Sequence, residues 1–199
     1  MMKLFLASLF SVALLCSAAT TARAQESQDL QKKQTELERQ RLDLEKKALD
    51  LQRRELELEK MRQELQARES GQSLSMNLSG DLLFDYEKAT LKPAAEEALK
   101  KVAVVLSQFP ESKVTVEGYT DAKGGKAVNL PLSRERASTV SEWLVKNGGV
   151  NAANITAAGR GEENPIAPNE NPDGSDNPAG RALNRRVTIV VAKPAAPAP

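Results

Sequence analysis

The 199-residue chain contains no histidine. That removes imidazole as a general base, as a metal ligand and as a switch near neutral pH. It has one cysteine, Cys16, close to the N-terminus, so no disulfide framework and no thiolate metal site follows. Aromatic residues make up 4%, and 28 Lys and Arg stand against 27 Asp and Glu for a net charge of +1. No basic segment interleaved with stacking rings is present, so nothing favours nucleic acid. Gly159-Arg160-Gly161 lacks the glycine set of a dinucleotide loop, and no phosphate-loop lysine follows a glycine run. No serine has a triad partner without histidine, and no lysine spacing suggests Ser–Lys chemistry. These absences point to a protein that is not an enzyme and that uses no cofactor and no metal.

What is present begins with a leader. Lys3 precedes an apolar run, Leu4 to Leu15, and Ala22-Arg23-Ala24 is a small-x-small cleavage site. The run is short for a membrane span, and residues 1–24 read as a secretory signal peptide cut before Gln25. Cys16 offers a rival, lipoprotein processing, which the bulky Leu15 directly before it suits poorly.

Residues 25–70 contain neither glycine nor proline, and about half of them are charged. Glutamine, glutamate, lysine, arginine and leucine dominate, all good helix formers. Asp43–Lys47, Asp50–Arg54 and Glu64–Arg68 are favourable four-apart pairs. A helix of about forty residues reaches roughly 60 Å. Leucines recur every seven residues at 30, 37, 44, 51, 58 and 65, with a second line at 42, 49 and 56. The two lines lie about 200° apart around a helix and so do not form one a/d seam. With the first line at d, position a holds Gln34, Arg41, Ala48, Glu55 and Arg62, which makes a tight two-stranded coil weak. The sustained heptad favours oligomerisation through this arm, with a monomeric spacer as the alternative.

Ser70-Gly71-Gln72-Ser73 breaks the helical pattern and opens a globular domain over 73–192; an Ala/Pro-rich tail, 193–199, follows. Leu74, Met76 and Leu78 alternate with polar residues as a strand does. Asp81 to Thr90 reads as a loop. Pro93 suits a helix's first turn, and the segment from Ala94 to Gln108 carries apolar residues at Ala95, Leu99, Val102, Val105 and Leu106. Val114 to Val116 is a second strand. Ser133 to Lys146 is a second helix, N-capped by Ser133 and stopped by Asn147-Gly148-Gly149, with Trp143 in the core. Ile155 to Ala158 and Arg186 to Ala192 complete a four-stranded mixed sheet with helices on one face, an α+β two-layer sandwich. Asn169-Glu170-Asn171-Pro172-Asp173-Gly174 has alternating oxygen ligands like a calcium loop, but Gly180 falls where the bidentate acid belongs, and turn chemistry accounts for the segment better.

Asp121 hangs off the end of the second strand, and Arg136 projects from the helix that Ser133 begins. A carboxylate, a guanidinium and helix N–H groups in one place suit a zwitterion, an ammonium on one side and a carboxylate on the other. An internal salt bridge or a solvated loop is the plainer reading of the same residues. Read plainly too, the arginines of Asn184-Arg185-Arg186 are solvated strand-edge charges.

Thr120, Asp121, Gly124, Asn129, Leu132, Ser133, Arg136, Ala137 and Val140 fall in a pattern that resembles the signature of the OmpA C-terminal-like peptidoglycan-binding family. Leu82-Leu83-Phe84-Asp85 is similar to the family's opening segment, and the stretches 159–165 and 180–187 to its closing segments. The resemblance covers roughly 73–192 and implies the βαβαββ fold of that family. It further implies that Asp121 and Arg136 hold the ammonium and carboxylate of the meso-diaminopimelate in the peptidoglycan stem peptide. Thr120, Asn129, Phe84 and Asp85 are implied as supporting residues, with Asn184 and Arg185 shaping the groove. The partners implied are peptidoglycan, further copies of the chain through residues 25–70, and an outer-membrane or envelope protein. The expected location is the periplasm of a Gram-negative bacterium.

Overall fold

A computed structural model describes the backbone of residues 2–193 and the side chains of 23, 25 and 27–193. The leader's apolar core, Cys16 and most of the Ala/Pro tail lie outside the side chains described. The chain divides into two units, Met1–Glu55 and Leu56–Pro199.

The first unit is the bulk of α1, Met2–Glu64. Its leucines at 30, 37, 44 and 51 and at 42 and 49 are all exposed, and Asp43 pairs with Lys47 at 2.9 Å. Among the described residues of this unit burial therefore contributes little; helix propensity and four-apart ion pairs support the helix there.

The second unit starts with the last turns of α1, which stop six residues short of the expected boundary. Gln66 takes a left-handed φ of 49°, its N–H bonds Gln63 O at 3.0 Å, and the Ala67 N–H bonds Arg62 O at 2.8 Å. This is a Schellman C-cap with glutamine where glycine is usual. Leu65, the last leucine of the heptad line, turns into the globular core. Glu64 accepts from Lys101 rather than from Arg68. Residues Arg68–Glu69 form β1, an edge strand antiparallel to β2, Ser73–Ser79.

The sheet thus has five strands, one more than expected, in the order β1-β2-β5-β3-β4. The others are β3, Val114–Tyr119; β4, Ile155–Gly161; and β5, Arg186–Ala192. β5 is antiparallel to both β2 and β3, and β4 is parallel to β3. Alternation puts Leu74, Met76, Leu78, Val116, Ile189 and Val191 on one buried face. The other face is more polar, with Thr188 bonded to Asn77 across the strands. The buried face is covered by α3, Ala95–Leu106, whose expected apolar residues are all buried, and by α4, Lys126–Asn147. Trp143 packs against the core only in part.

α4 begins seven residues before Ser133, capped by Gly125 at φ 73°, and runs through Pro131. Proline there removes the bond to the carbonyl four residues back and crowds that carbonyl, a cost the helix bears in its second turn. Ser133 is consequently not an N-cap. It is fully buried, donates to Leu130 O at 2.8 Å and accepts from the Gly161 N–H at 2.9 Å. Two glycines make room for it. Gly118 and Gly159 are neighbours in register across β3 and β4. A Cβ on Gly118 would stand 2.1 Å from Ser133 O, and one on Gly159 would stand 2.7 Å from Arg134 N. The helix backbone lies directly on a sheet window without side chains. Two short helices complete the unit: α2, Gly80–Leu83, which overlaps the start of the expected loop, and α5, Pro178–Asn184. The 169–176 segment is a turn: Asp173 accepts from the Ser175 N–H, and Gly174 has φ 82°.

Candidate functional site

The end of β2, the end of β3 and the start of β5 meet at one edge of the sheet, since Ser79 pairs Arg186 and Gly118 pairs Val187. Each strand delivers charge there. Asp81 follows β2 on α2, Asp121 follows β3, and Arg185 precedes β5. Arg136 comes from α4, placed by the helix's close seat on Gly118 and Gly159.

Asp121 is 8% exposed. Its Oδ1 accepts from the Lys123 N–H at 3.0 Å, and its Oδ2 accepts from Arg185 Nη1 at 2.7 Å. Arg185 also grips Asp81 with two parallel bonds, Nε to Oδ1 at 2.8 Å and Nη2 to Oδ2 at 2.7 Å. One guanidinium thereby bridges two carboxylates. The hydrogen bond from Arg185 holds the Asp81 carboxyl below the usual carboxylate range. The bond to Asp81 in turn raises the Arg185 guanidinium further. Arg185 is thus a structural hinge of the site and not a solvated edge charge.

Arg136 is 6% exposed. Nε donates to Lys88 O at 2.9 Å and Nη2 to Asp85 O at 3.3 Å. Its guanidinium carbon lies 5.1 Å from the centroid of the buried Phe84 ring, a cation–π contact. Burial pushes its proton affinity down, opposed by the charge of Asp81. Arg136 and Asp121 are not bonded to each other. Both line a cavity of about 410 Å³ that also takes in Phe84, Asp85 and Arg185. Asp81, Lys92, Lys123 and Arg181 complete its charged wall, giving five cationic and three anionic side chains in all.

The remaining residues expected at the site divide into two groups. Phe84 and Asp85 do shape the cavity, Asp85 through its backbone carbonyl, its carboxylate being turned to Lys88. Asn129 is buried and clamps the loop, donating to Asp121 O at 3.1 Å and to Glu162 Oε2 at 3.1 Å. The Thr120 N–H bonds Gly161 O, and its buried Oγ1 has no partner among the described residues. Asn184 does not reach the cavity. Its Oδ1 accepts from the Ile166 and Ala167 N–H groups, and its Nδ2 donates to Ala167 O and Asn169 Oδ1. All its polar capacity is spent on holding the 166–169 loop. Nor are helix N–H groups available beside Arg136, because Ser133 is interior to α4. Four charged residues of the cavity, Asp81, Lys92, Lys123 and Arg181, are not among the expected ones; Asp81 lies one residue before the opening segment that signals the family, and Arg181 lies within a closing one. Asn177-Pro178 is the local signal for the helix carrying Arg181: Asn177 Oδ1 accepts from Gly180 N, and proline fits N1.

The sequence from Leu83 to Pro178 matches the OmpA family, so Asp121, Asn129 and Arg136 lie inside the match, and Asp81 and Arg185 just outside it. The chain is 41% identical over 122 residues to the probable lipoprotein YiaD of Escherichia coli K12, covering 61% of this chain and 52% of that protein. It is 44% identical over 112 residues to the peptidoglycan-binding protein ArfA of Mycobacterium tuberculosis H37Rv, covering 56% of this chain and 32% of that one. The chain therefore spans about half or less of the length of these curated relatives. Among solved structures, the cell wall anchor of the T6SS from Pseudomonas aeruginosa superposes with a TM-score of 0.55 at 28% identity, covering 64% of this chain and 87% of that one. Within the globular part of this chain, residues 83–178 carry the match to the OmpA family.

Proposed function

We propose that the domain is a non-catalytic binder of peptidoglycan that grips the free amino-acid headgroup of diaminopimelate in the stem peptide. The observation that carries this reading is the pair of buried, oppositely charged side chains, Asp121 and Arg136, facing one cavity without neutralising each other. Arg136 uses two of its five N–H donors on carbonyls, which leaves three for a carboxylate. Asp121 accepts two bonds and keeps lone pairs for an ammonium. A zwitterion can use the spare acceptor capacity of Asp121 and the spare donors of Arg136 at once, whereas a neutral or singly charged ligand matches only one of them. Support comes from the relative named as peptidoglycan-binding and from the neighbour described as a cell wall anchor.

On this reading residues 1–24 direct export, the domain over 73–192 docks on the wall in the periplasm, and the helical arm spaces and gathers copies so that weak grips add up. An envelope protein held by the arm, with the domain as passive anchor, is the second reading, favoured by the exposed arm leucines. Retention on purified sacculi tests the first. Arg136→Ala is expected to abolish retention while circular dichroism stays unchanged, and a folded variant that still pellets with sacculi would refute it. Pull-down from envelope extracts with and without residues 25–55 separates the second.

A further inference from the structure

The geometry points to self-association of the arm in one orientation: copies pair in parallel and in register along the row Leu30, Leu37, Leu44 and Leu51. This deepens the gathering role proposed above and stands on the arm alone. Each of those leucines is at least 57% exposed, so the row has no burying partner among the described residues. The residue just before each leucine from 37 to 58 is acidic, and the second residue after each leucine from 30 to 58 is basic. Those two columns sit four residues apart on one helix and offset each other there, and Asp43 of the acidic column also pairs within the chain with Lys47, which belongs to the basic side of the row, at 2.9 Å. They contribute no net charge toward a partner.

The columns bordering the leucine row carry the orientation. One side, three residues after each leucine, reads Lys33, Gln40, Lys47, Arg54. The other, one residue after, reads Glu38, Glu45, Gln52, Glu59 from the second heptad. In a parallel pair each residue of the first side meets the residue five places on in the other copy. Lys33 then meets Glu38 and Arg54 meets Glu59, the other two pairs join a charge to an amide, and none is repulsive. An antiparallel pair would align the basic side with itself and the acidic side with itself over the same length. The polar residues at 34, 41 and 55 leave leucine in only every second layer, so association is weak and concentration-dependent. Parallel pairing brings the C-terminal ends of the arms to the same end.

Disulfide trapping tests this on the full chain carrying Cys16→Ser, with single substitutions Leu37→Cys, Leu44→Cys and Leu51→Cys. In a parallel, in-register pair each of the three faces its own copy and crosslinks on oxidation, while Asp43→Cys and Asp50→Cys do not. Crosslinking at one position only, at none, or equally at the aspartate positions would overturn the proposal. Sedimentation equilibrium supplies a readout without cysteine: Lys33→Glu with Arg54→Glu is expected to weaken association about tenfold or more, and adding Glu38→Lys with Glu59→Lys to restore it. A charge-reversed chain that associates as well as the parent would also overturn it. Neither measurement involves peptidoglycan, so a failure here leaves the wall-binding reading to its own test.

Discussion

Replacing Asp121 by asparagine keeps the side chain's shape and removes its charge. Two losses follow, and they are separable. Within the domain, the charge-assisted bond from Arg185 Nη1 at 2.7 Å becomes a neutral one. A charge-assisted bond contributes about 1.5–3 kcal/mol, but Arg185 retains both bonds to Asp81 and is not left as an unpaired buried cation. The stability cost is therefore expected near the low end, about 1–2 kcal/mol. For a bound diaminopimelate headgroup the consequence is larger. The ammonium loses its principal counter-charge in a site where Asp121 is nearly buried, while the cations of the cavity remain and repel it. A loss of about 3 kcal/mol, or roughly a hundredfold in affinity, is expected. Isothermal titration with a diaminopimelate-containing tripeptide reads the second effect, and urea unfolding reads the first. If Asp121→Asn binds within about threefold of the parent, the assignment of Asp121 as the ammonium's partner fails.

Three further outcomes are expected. Gly118→Ala places a methyl 2.1 Å from Ser133 O, which backbone cannot evade, so a loss of about 3 kcal/mol or more is expected in thermal unfolding. Asn184→Ala strands the Ile166 and Ala167 N–H groups and is expected to cost about 2–3 kcal/mol by urea titration, while tripeptide affinity stays within about threefold because the side chain does not face the cavity. Asp81 has its carboxyl held down by Arg185, so its contribution is present above the ordinary aspartate value of about 3.9 and is lost as pH falls through the lower folded value; unfolding midpoints at pH 6 and pH 3 should differ more for the parent than for Asp81→Asn.

The core of the domain was legible because its elements are regular. β5 occupies the seven residues that the run Val187, Ile189, Val190 and Val191 marks out, and α3 buries the five apolar positions its spacing singles out. Legibility failed where tertiary structure overrides a local signal. Ser133 after Asn-Leu-Pro-Leu looks like a cap, because serine favours caps and proline favours helix starts. In the fold its hydroxyl instead ties Gly161 to the helix, and only the glycine window opposite makes that approach affordable. Gln66 ends α1 with a capping geometry that sequence reading associates with glycine. Asn184 reads as part of a charged Asn-Arg-Arg cluster, yet its four bonds go to a loop 15–18 residues earlier, a partnership no local pattern announces.

The misplaced helix start changes the chemistry expected of the site. With Ser133 at an N-terminus, free N–H groups and the positive end of the helix dipole would have shared a ligand carboxylate with Arg136. With Ser133 in the helix interior those donors are spent, and in the proposed grip the carboxylate would fall to guanidinium and lysine groups alone. Arg136 can bear that task because its position is over-determined: Phe84 stacks beneath it, the Lys88 and Asp85 carbonyls fix two of its donors, and the window at Gly118 and Gly159 sets the depth of its helix. Recognition by planar, paired donors discriminates by geometry as well as by charge. Arg136→Lys, which keeps the charge and loses the fork, should therefore weaken tripeptide binding about tenfold or more. A helix-dipole site would tolerate that change, so near-parental affinity in titration calorimetry would return the carboxylate to the helix end and remove Arg136 from the grip.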